Sequence, residues 1–195
     1  PKPSSAASDV YKRQLVAITA YWGGKRTQDK YEAVARGVLD DVMAIDQAFL
    51  DFRETRVGLR TLGIEGITPQ QGVAAKKQAM DAVASVDNQM KKLDRPDLAS
   101  EQKALVTNIS KSWGSFKKTG TEIFSLYDSG TPENRKKLVG IFFKECPEAA
   151  DEFLGHVEKL RNFLSTEQKA WVTDARATAD FNLSLIHISE PTRPL

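Results

Sequence analysis

The chain has 195 residues, of which 41% are apolar, with 28 basic and 26 acidic side chains and a formal net charge of +2. This length suits one domain with a single core, and a near-neutral charge gives no general electrostatic reason to expect nucleic-acid binding. The single cysteine, Cys146, excludes an internal disulfide and any metal or redox site that needs paired cysteines.

The two ends of the chain, residues 1–14 and 184–195, do not read like parts of a folded domain. Lys2–Gln14 (KPSSAASDVYKRQ) and Ser184–Pro194 (SLIHISEPTRP) both resemble translated sequencing-adapter DNA. We therefore expect the biological segment to run from about Leu15 to about Leu183 and to be a piece of a longer protein. Within this segment, acidic and basic residues are equal in number. The alternative is that both ends are native disordered termini.

Residues 15–26 have the composition of the end of a membrane-spanning helix. Leu15–Trp22 (LVAITAYW) is apolar and finishes with Tyr21 and Trp22, and Gly23–Arg26 adds two cations. An aromatic pair followed by cations is typical of the membrane–water interface, although eight residues fall short of the roughly 20 that cross a bilayer. We predict a truncated span with Tyr21 and Trp22 at the interface. A buried helical end or a strand is the alternative.

A seven-residue apolar repeat predicts a long first helix over about Thr27–Gly63. Asp41 and Thr55 interrupt its second apolar row, whereas Val42 and Phe49 widen the stripe into the kind of face that packs in a helical bundle. The first row consists of Tyr31, Val38, Ile45, Phe52 and Leu59.

Turn and cap residues predict the next two helices. The second begins at Pro69 after Thr68 and ends at the Asp94–Pro96 turn. The third opens with Asp97 as its cap and closes near Tyr127.

The fourth helix begins after Thr131 as its cap and continues to about Trp171, with Pro147 kinking it or dividing it in two. No segment from Tyr31 onward has the pattern of a strand. Short turns between helices favour antiparallel neighbours. The sequence therefore predicts an all-α, antiparallel up-down-up-down four-helix bundle over residues 27–183, with long first and fourth helices.

Three arginines late in the first helix are candidates for ligand binding. Arg53, Arg56 and Arg60 stand at i, i+3 and i+7 and project from one helix face. Their guanidinium groups suit the planar, bidentate binding of a carboxylate. The alternative is a solvated helix flank, in which local ion pairs with Asp51 and Glu54 neutralise the arginines.

Further candidates come from the early part of the fourth helix, at the same level of the predicted bundle. Phe142 and Phe143 next to Pro147 could line a pocket, and Thr119 of the third helix could add a hydroxyl group. The alternative for the two phenylalanines is a place in the core or in a dimer contact.

Catalysis and cofactor binding find no support in the sequence. His156 is the only histidine between Leu15 and Leu183, and no Gly-rich phosphate loop is present. The sequence also lacks the Cys-x-x-Cys-His motif of covalent haem and the paired Glu-x-x-His motifs of a di-iron bundle. We therefore expect a protein that is not an enzyme and that holds no metal or cofactor.

Four stretches carry a resemblance to a known family. They are Asp51–Leu62 (DFRETRVGLRTL), Trp113 with Phe116, Gly130–Leu138 (GTPENRKKL) and Glu158–Phe163 (EKLRNF). With the membrane-exit segment and the helix order, they make nearly all of Leu15–Leu183 resemble the four-helix-bundle ligand-binding domain of methyl-accepting chemotaxis proteins.

The resemblance implies a homodimeric sensor domain in the bacterial periplasm, held to the inner membrane through flanking spans. It implies a small solute bound near the membrane-distal part of the dimer interface, with arginines of the first helix holding its carboxylate. Displacement of the fourth helix would carry the signal to a cytoplasmic region. Two alternatives remain: the same sensor on a histidine kinase or cyclic-dinucleotide enzyme, and a structural bundle that binds protein partners without a small ligand.

Overall fold

The structure, a computed structural model, describes residues 5–189; residues 1–4 and 190–195, parts of the two adapter-like segments, lie outside the described residues. Every regular element within residues 5–189 is a helix, which confirms the all-α class. This part of the chain has five helices rather than four: α1 (Ser5–Leu62), α2 (Pro69–Leu93), α3 (Ser100–Ser129), α4 (Pro132–Phe143) and α5 (Glu145–Ser189).

Helix α1 begins well before the predicted start at Thr27. It continues from Ser5 through Gly23 and Gly24, so a helix start after these glycines was wrong. Each glycine costs a helix only about 1 kcal/mol relative to alanine and keeps its backbone hydrogen bonds, so the pair does not end the helix. The Thr27 hydroxyl donates a hydrogen bond to the Gly23 carbonyl at 2.9 Å.

The starts of α2 and α3 show one correct and one incorrect cap. Thr68 caps α2 in a capping box: its hydroxyl oxygen accepts from the Gln71 N–H, and its own N–H donates to Gln71 Oε1 at 3.0 Å. Asp97 does not cap α3, which begins after Ala99 without a side-chain cap. The Asp97 carboxylate instead lies 3.7 Å from Arg95 Nε.

The fourth predicted helix is divided, as one form of that prediction required. Thr131 caps α4 by accepting from the Asn134 N–H at 3.2 Å. The break falls at Lys144, with φ −125° and ψ −76°, and Pro147 lies in the first turn of α5. In an unbroken helix the Pro147 ring would meet the carbonyl of Phe143, four residues earlier, so the division has a steric cause.

The chain divides into two compact units. Asp41–Leu164 forms one, and Pro1–Asp40 with Ser165–Leu195 forms the other, as far as these residues are described. No helix within residues 5–189 is long and apolar enough to cross a membrane.

An aromatic cluster forms the centre of the Asp41–Leu164 unit. The Phe52 ring of α1 lies 4.7 Å from the Phe116 ring of α3 and 4.5 Å from the Phe153 ring of α5, measured between centroids. Trp113 of α3 joins them at 6.3 Å from Phe52. The first apolar row is thus confirmed at its buried members Ile45, Phe52 and Leu59, while Val38 is half-buried and the Tyr31 side chain lies outside the described part.

Helices α1 and α2 of this unit run in opposite directions. The Gly58 backbone of α1 lies so close to α2 that an added Cβ would stand 2.8 Å from the Ala75 carbonyl oxygen. At the other end of the pair, Arg95 follows α2 and bonds to Asp41 near the start of the unit.

The two polar residues that interrupt the second apolar row, Asp41 and Thr55, have hydrogen-bond partners. The buried Asp41 carboxylate accepts from Arg95 Nη2 at 2.9 Å and from Gln102 Nε2 at 2.7 Å, which ties α1 to α3 and to the turn before it. The Thr55 hydroxyl donates to the Asp51 carbonyl at 2.9 Å. Both residues therefore occupy buried positions with satisfied side chains.

Candidate functional site

The three predicted arginines lie on α1 inside the Asp41–Leu164 unit. Arg53 and Arg60 are exposed, and Arg56 is half-buried. The Arg56 guanidinium carbon lies 5.8 Å from the centroid of the Phe52 ring, and that of Arg53 lies 6.0 Å from the Phe49 ring. These contacts orient two of the side chains without neutralising them.

The acids that the solvated-flank alternative paired with these arginines have other partners, among them residues of α2. Ser85 donates to Asp51 Oδ2 at 2.6 Å, and Gln78 donates to Glu54 Oε2 at 2.6 Å. Among the described residues, the local ion pairs of the solvated-flank alternative are therefore absent. Within residues 5–189, none of the three arginines forms an ion pair with a described acid.

An exposed apolar row lies beside the arginines. Its members recur every seventh residue along α1 and into the following turn, and each is between 51% and 62% exposed. Seven-residue spacing is the pattern of a helix–helix seam. Arg53 and Arg60 stand three residues after two of its members and so lie next to it. The row, called the α1 row below, consists of Met43, Leu50, Val57 and Ile64.

The remaining predicted ligand residues do not converge on one point. The half-buried Phe142 ring packs against Gly63, where an added Cβ would stand 2.6 Å from Cε2 of the ring. Phe143 is 84% exposed. The Thr119 hydroxyl donates within its own helix, to the Ser115 carbonyl at 3.4 Å. Phe142 thus packs the end of α1, and the ligand roles of the three remain predictions.

Cys146 at the start of α5 lies close enough to the arginines to feel their charge. Burial raises the pKa of its thiol above the ordinary value, while the charges of Arg56 and Arg60 act in the opposite direction. That the arginines and the start of α5 share a ligand site remains a prediction.

Tyr21 and Trp22, the predicted membrane-interface residues, lie on α1 within the other unit. Both side chains are exposed, and their rings meet edge to face with centroids 6.1 Å apart. Their place at a membrane interface remains a prediction.

A cavity that the sequence did not predict lies at the end of α1. Its volume is about 410 Å³. Its walls are the turn after α1, the end of α3 and one face of α4. The sequence shows Thr131 as a cap and, one turn later, the cations Arg135 and Lys136. Only the fold shows that α4 lies against the turn after α1. The lining residues are Leu62, Gly63, Ile64, Glu65, Ile67, Tyr127, Arg135, Lys136, Leu138 and Val139.

Comparison with known proteins assigns the chain to no family. No protein-family model, curated protein or solved structure matches the chain. The likeness to chemotaxis receptors therefore stays a resemblance, and the proposals below rest on side-chain arrangement.

Proposed function

We propose that residues 27–183 are the ligand-binding domain of a bacterial methyl-accepting chemotaxis receptor. In this proposal α1, α2, α3 and the α4–α5 pair make an up-down-up-down four-helix bundle. The domain lies in the periplasm, is held to the inner membrane through flanking spans, and catalyses no reaction. It binds a small solute between two copies of itself and passes the signal on by helix displacement.

The observation that carries this proposal is the α1 row beside three arginines without acidic partners among the described residues. If two copies met along this row, cations of both would come together at the seam. Like charges at an interface repel unless an anion lies between them. A carboxylate suits that place because it accepts two parallel hydrogen bonds from one guanidinium group. The solute is therefore an organic acid or an amino acid.

Two alternatives use the same features differently. A sensor histidine kinase or a cyclic-dinucleotide enzyme would share this input domain and differ only in its output. A structural bundle would use the α1 row to bind a protein partner and would need no anion.

Thermal unfolding in the presence of candidate ligands tests the proposal. A ligand that binds only the folded state must raise the melting temperature, by an amount that grows with its concentration relative to its Kd. We expect at least one acid from a panel of organic acids, amino acids and aromatic acids to do so. Arg56→Gln and Arg60→Gln should then weaken its binding, whereas Arg176→Gln, an exposed arginine of α5, should not. Unchanged affinity in both α1 variants would refute the binding of a ligand carboxylate by the α1 arginines.

A further inference from the structure

The cavity at the end of α1 is bounded by elements that the fold holds in place. Gly66, at φ +79°, forms the turn that supplies one wall. The Phe142 ring packs on Gly63 and joins this turn to α4. The third wall, Tyr127, is fixed because its hydroxyl contacts Gly72 of α2. The cavity is therefore preformed within one copy of the chain.

The volume and lining of the cavity match a small-molecule site. A volume of about 410 Å³ falls within the roughly 300–1,000 Å³ that such sites occupy, and they are typically apolar with a few polar groups. Its apolar lining includes Leu138 and Val139 of α4 and Ile64 and Ile67 of the turn. An apolar ligand body would be removed from water there.

Two cations stand at the α4 wall. Neither the Arg135 nor the Lys136 side chain forms an ion pair or hydrogen bond with another described residue. Both belong to the N-terminal half of α4, the end at which the helix macrodipole favours anions over cations. Glu65 is the only acid in the lining, so the cavity carries one net positive charge.

We propose that this cavity binds a small organic monoanion, a carboxylate on an aliphatic or aromatic body. Arg135 and Lys136 hold the carboxylate, and the apolar walls hold the body. A dianion without an apolar body leaves these walls empty, and a neutral isostere leaves the cations unpaired. The site goes beyond the proposed function: it is complete in one copy and uses none of the α1 arginines.

The test is a titration of the isotope-labelled full chain with benzoate, followed by backbone amide shifts in two-dimensional NMR. We expect saturable shifts at residues 63–67 and 131–139. Benzamide, the neutral near-isostere, and succinate, a dianion without an apolar body, should each bind more weakly. Shifts spread over the chain without saturation, or equal binding of benzamide, would overturn the proposal.

Matched variants locate the contacts. Lys136→Gln should weaken benzoate binding about fivefold, the effect of an exposed ion pair of about 1 kcal/mol, and Val139→Asp should weaken it as well by placing a negative charge in the cavity wall. Lys137→Gln, the neighbouring lysine outside the lining, should leave the affinity unchanged. Equal affinities of the Lys136 and Lys137 variants would contradict the cation contact.

A further variant separates this site from the proposed function. Val57→Lys, which places a charge in the α1 row, should leave benzoate binding intact. Loss of benzoate binding in that variant would show that the cavity is not complete in one copy. A different outcome is that benzoate binds in the cavity, while the Arg56→Gln and Arg60→Gln variants bind every acid as tightly as the wild type. That result would support the cavity site and refute carboxylate binding by the α1 arginines.

Discussion

Asp41→Ala is expected to lower the free energy of unfolding of the Asp41–Leu164 unit by about 3 kcal/mol. The Asp41 side chain is 5% exposed and accepts hydrogen bonds from Arg95 and Gln102. Hydrogen bonds to charged groups contribute about 1.5–3 kcal/mol each, and removing one partner of a buried ion pair costs about 3–5 kcal/mol. The Arg95 side chain is 33% exposed, so water can replace part of what it loses, and the cost lies near the lower limit.

Asp46→Ala is the matched control on the same helix. Asp46 pairs with Arg161 at 3.0 Å, but both side chains are nearly half exposed. Exposed ion pairs contribute about 0–1 kcal/mol, so this variant should lose less than about 1 kcal/mol. Urea unfolding followed by circular dichroism measures both losses, and thermal unfolding should show a drop of about 6–12 °C for Asp41→Ala. Equal losses in the two variants would refute the stabilising role of the buried Asp41 contacts.

Three further predictions concern packing, capping and pH. Gly58→Ala should destabilise the fold by about 1–3 kcal/mol in urea, because the new methyl group would stand 2.8 Å from α2, whereas Gly114→Ala, with nothing within 4 Å, should stabilise α3 by up to about 1 kcal/mol. The same sign for both would contradict the close approach of α1 and α2. Thr68→Ala should cost about 1 kcal/mol in the same assay through loss of the capping box, and an unchanged midpoint would argue against that cap. Burial acts to raise the pKa of Asp87, but hydrogen bonds from Lys117 and Trp113 and the charges of Lys117 and Lys91 outweigh it and hold the pKa below its ordinary value of 3.8. The stabilisation of the folded state by ionised Asp87 is therefore complete above this ordinary pKa and is lost as the pH falls through the lower pKa of the folded state. The difference in melting temperature between wild type and Asp87→Asn should shrink in that acid range, and a constant difference would contradict the assignment.

The core was predictable because apolar spacing along a helix is a local property. Ile45, Phe52 and Leu59 follow from the seven-residue repeat alone, and all three are buried. The break before Pro147 was also predictable, because it arises from a clash with a carbonyl four residues away. The start of α1 was not predictable from its glycines, because Gly23 lowers the stability of a helix without ending it.

The site was less predictable because it depends on contacts between distant parts of the chain. The sequence singled out Arg53, Arg56 and Arg60 as ligand candidates, and the alternative paired them with acids that instead bond to α2. Helical spacing gives the side chains near each other on one helix, not the ones that a neighbouring helix attracts. The cavity beside Arg135 forms only where the turn after α1 meets α4, and no local pattern encodes that contact.

Sedimentation velocity of the full chain is the most direct test of a sensor that binds its ligand between two copies. We predict a reversible dimer for the wild type, strengthened by any acid that raises the melting temperature, and a monomer for Val57→Lys. Val73→Lys, the same change at an exposed valine of α2, should dimerise like the wild type. A wild type that stays monomeric at every concentration and with every acid, or a Val57→Lys variant that dimerises equally well, would contradict the account.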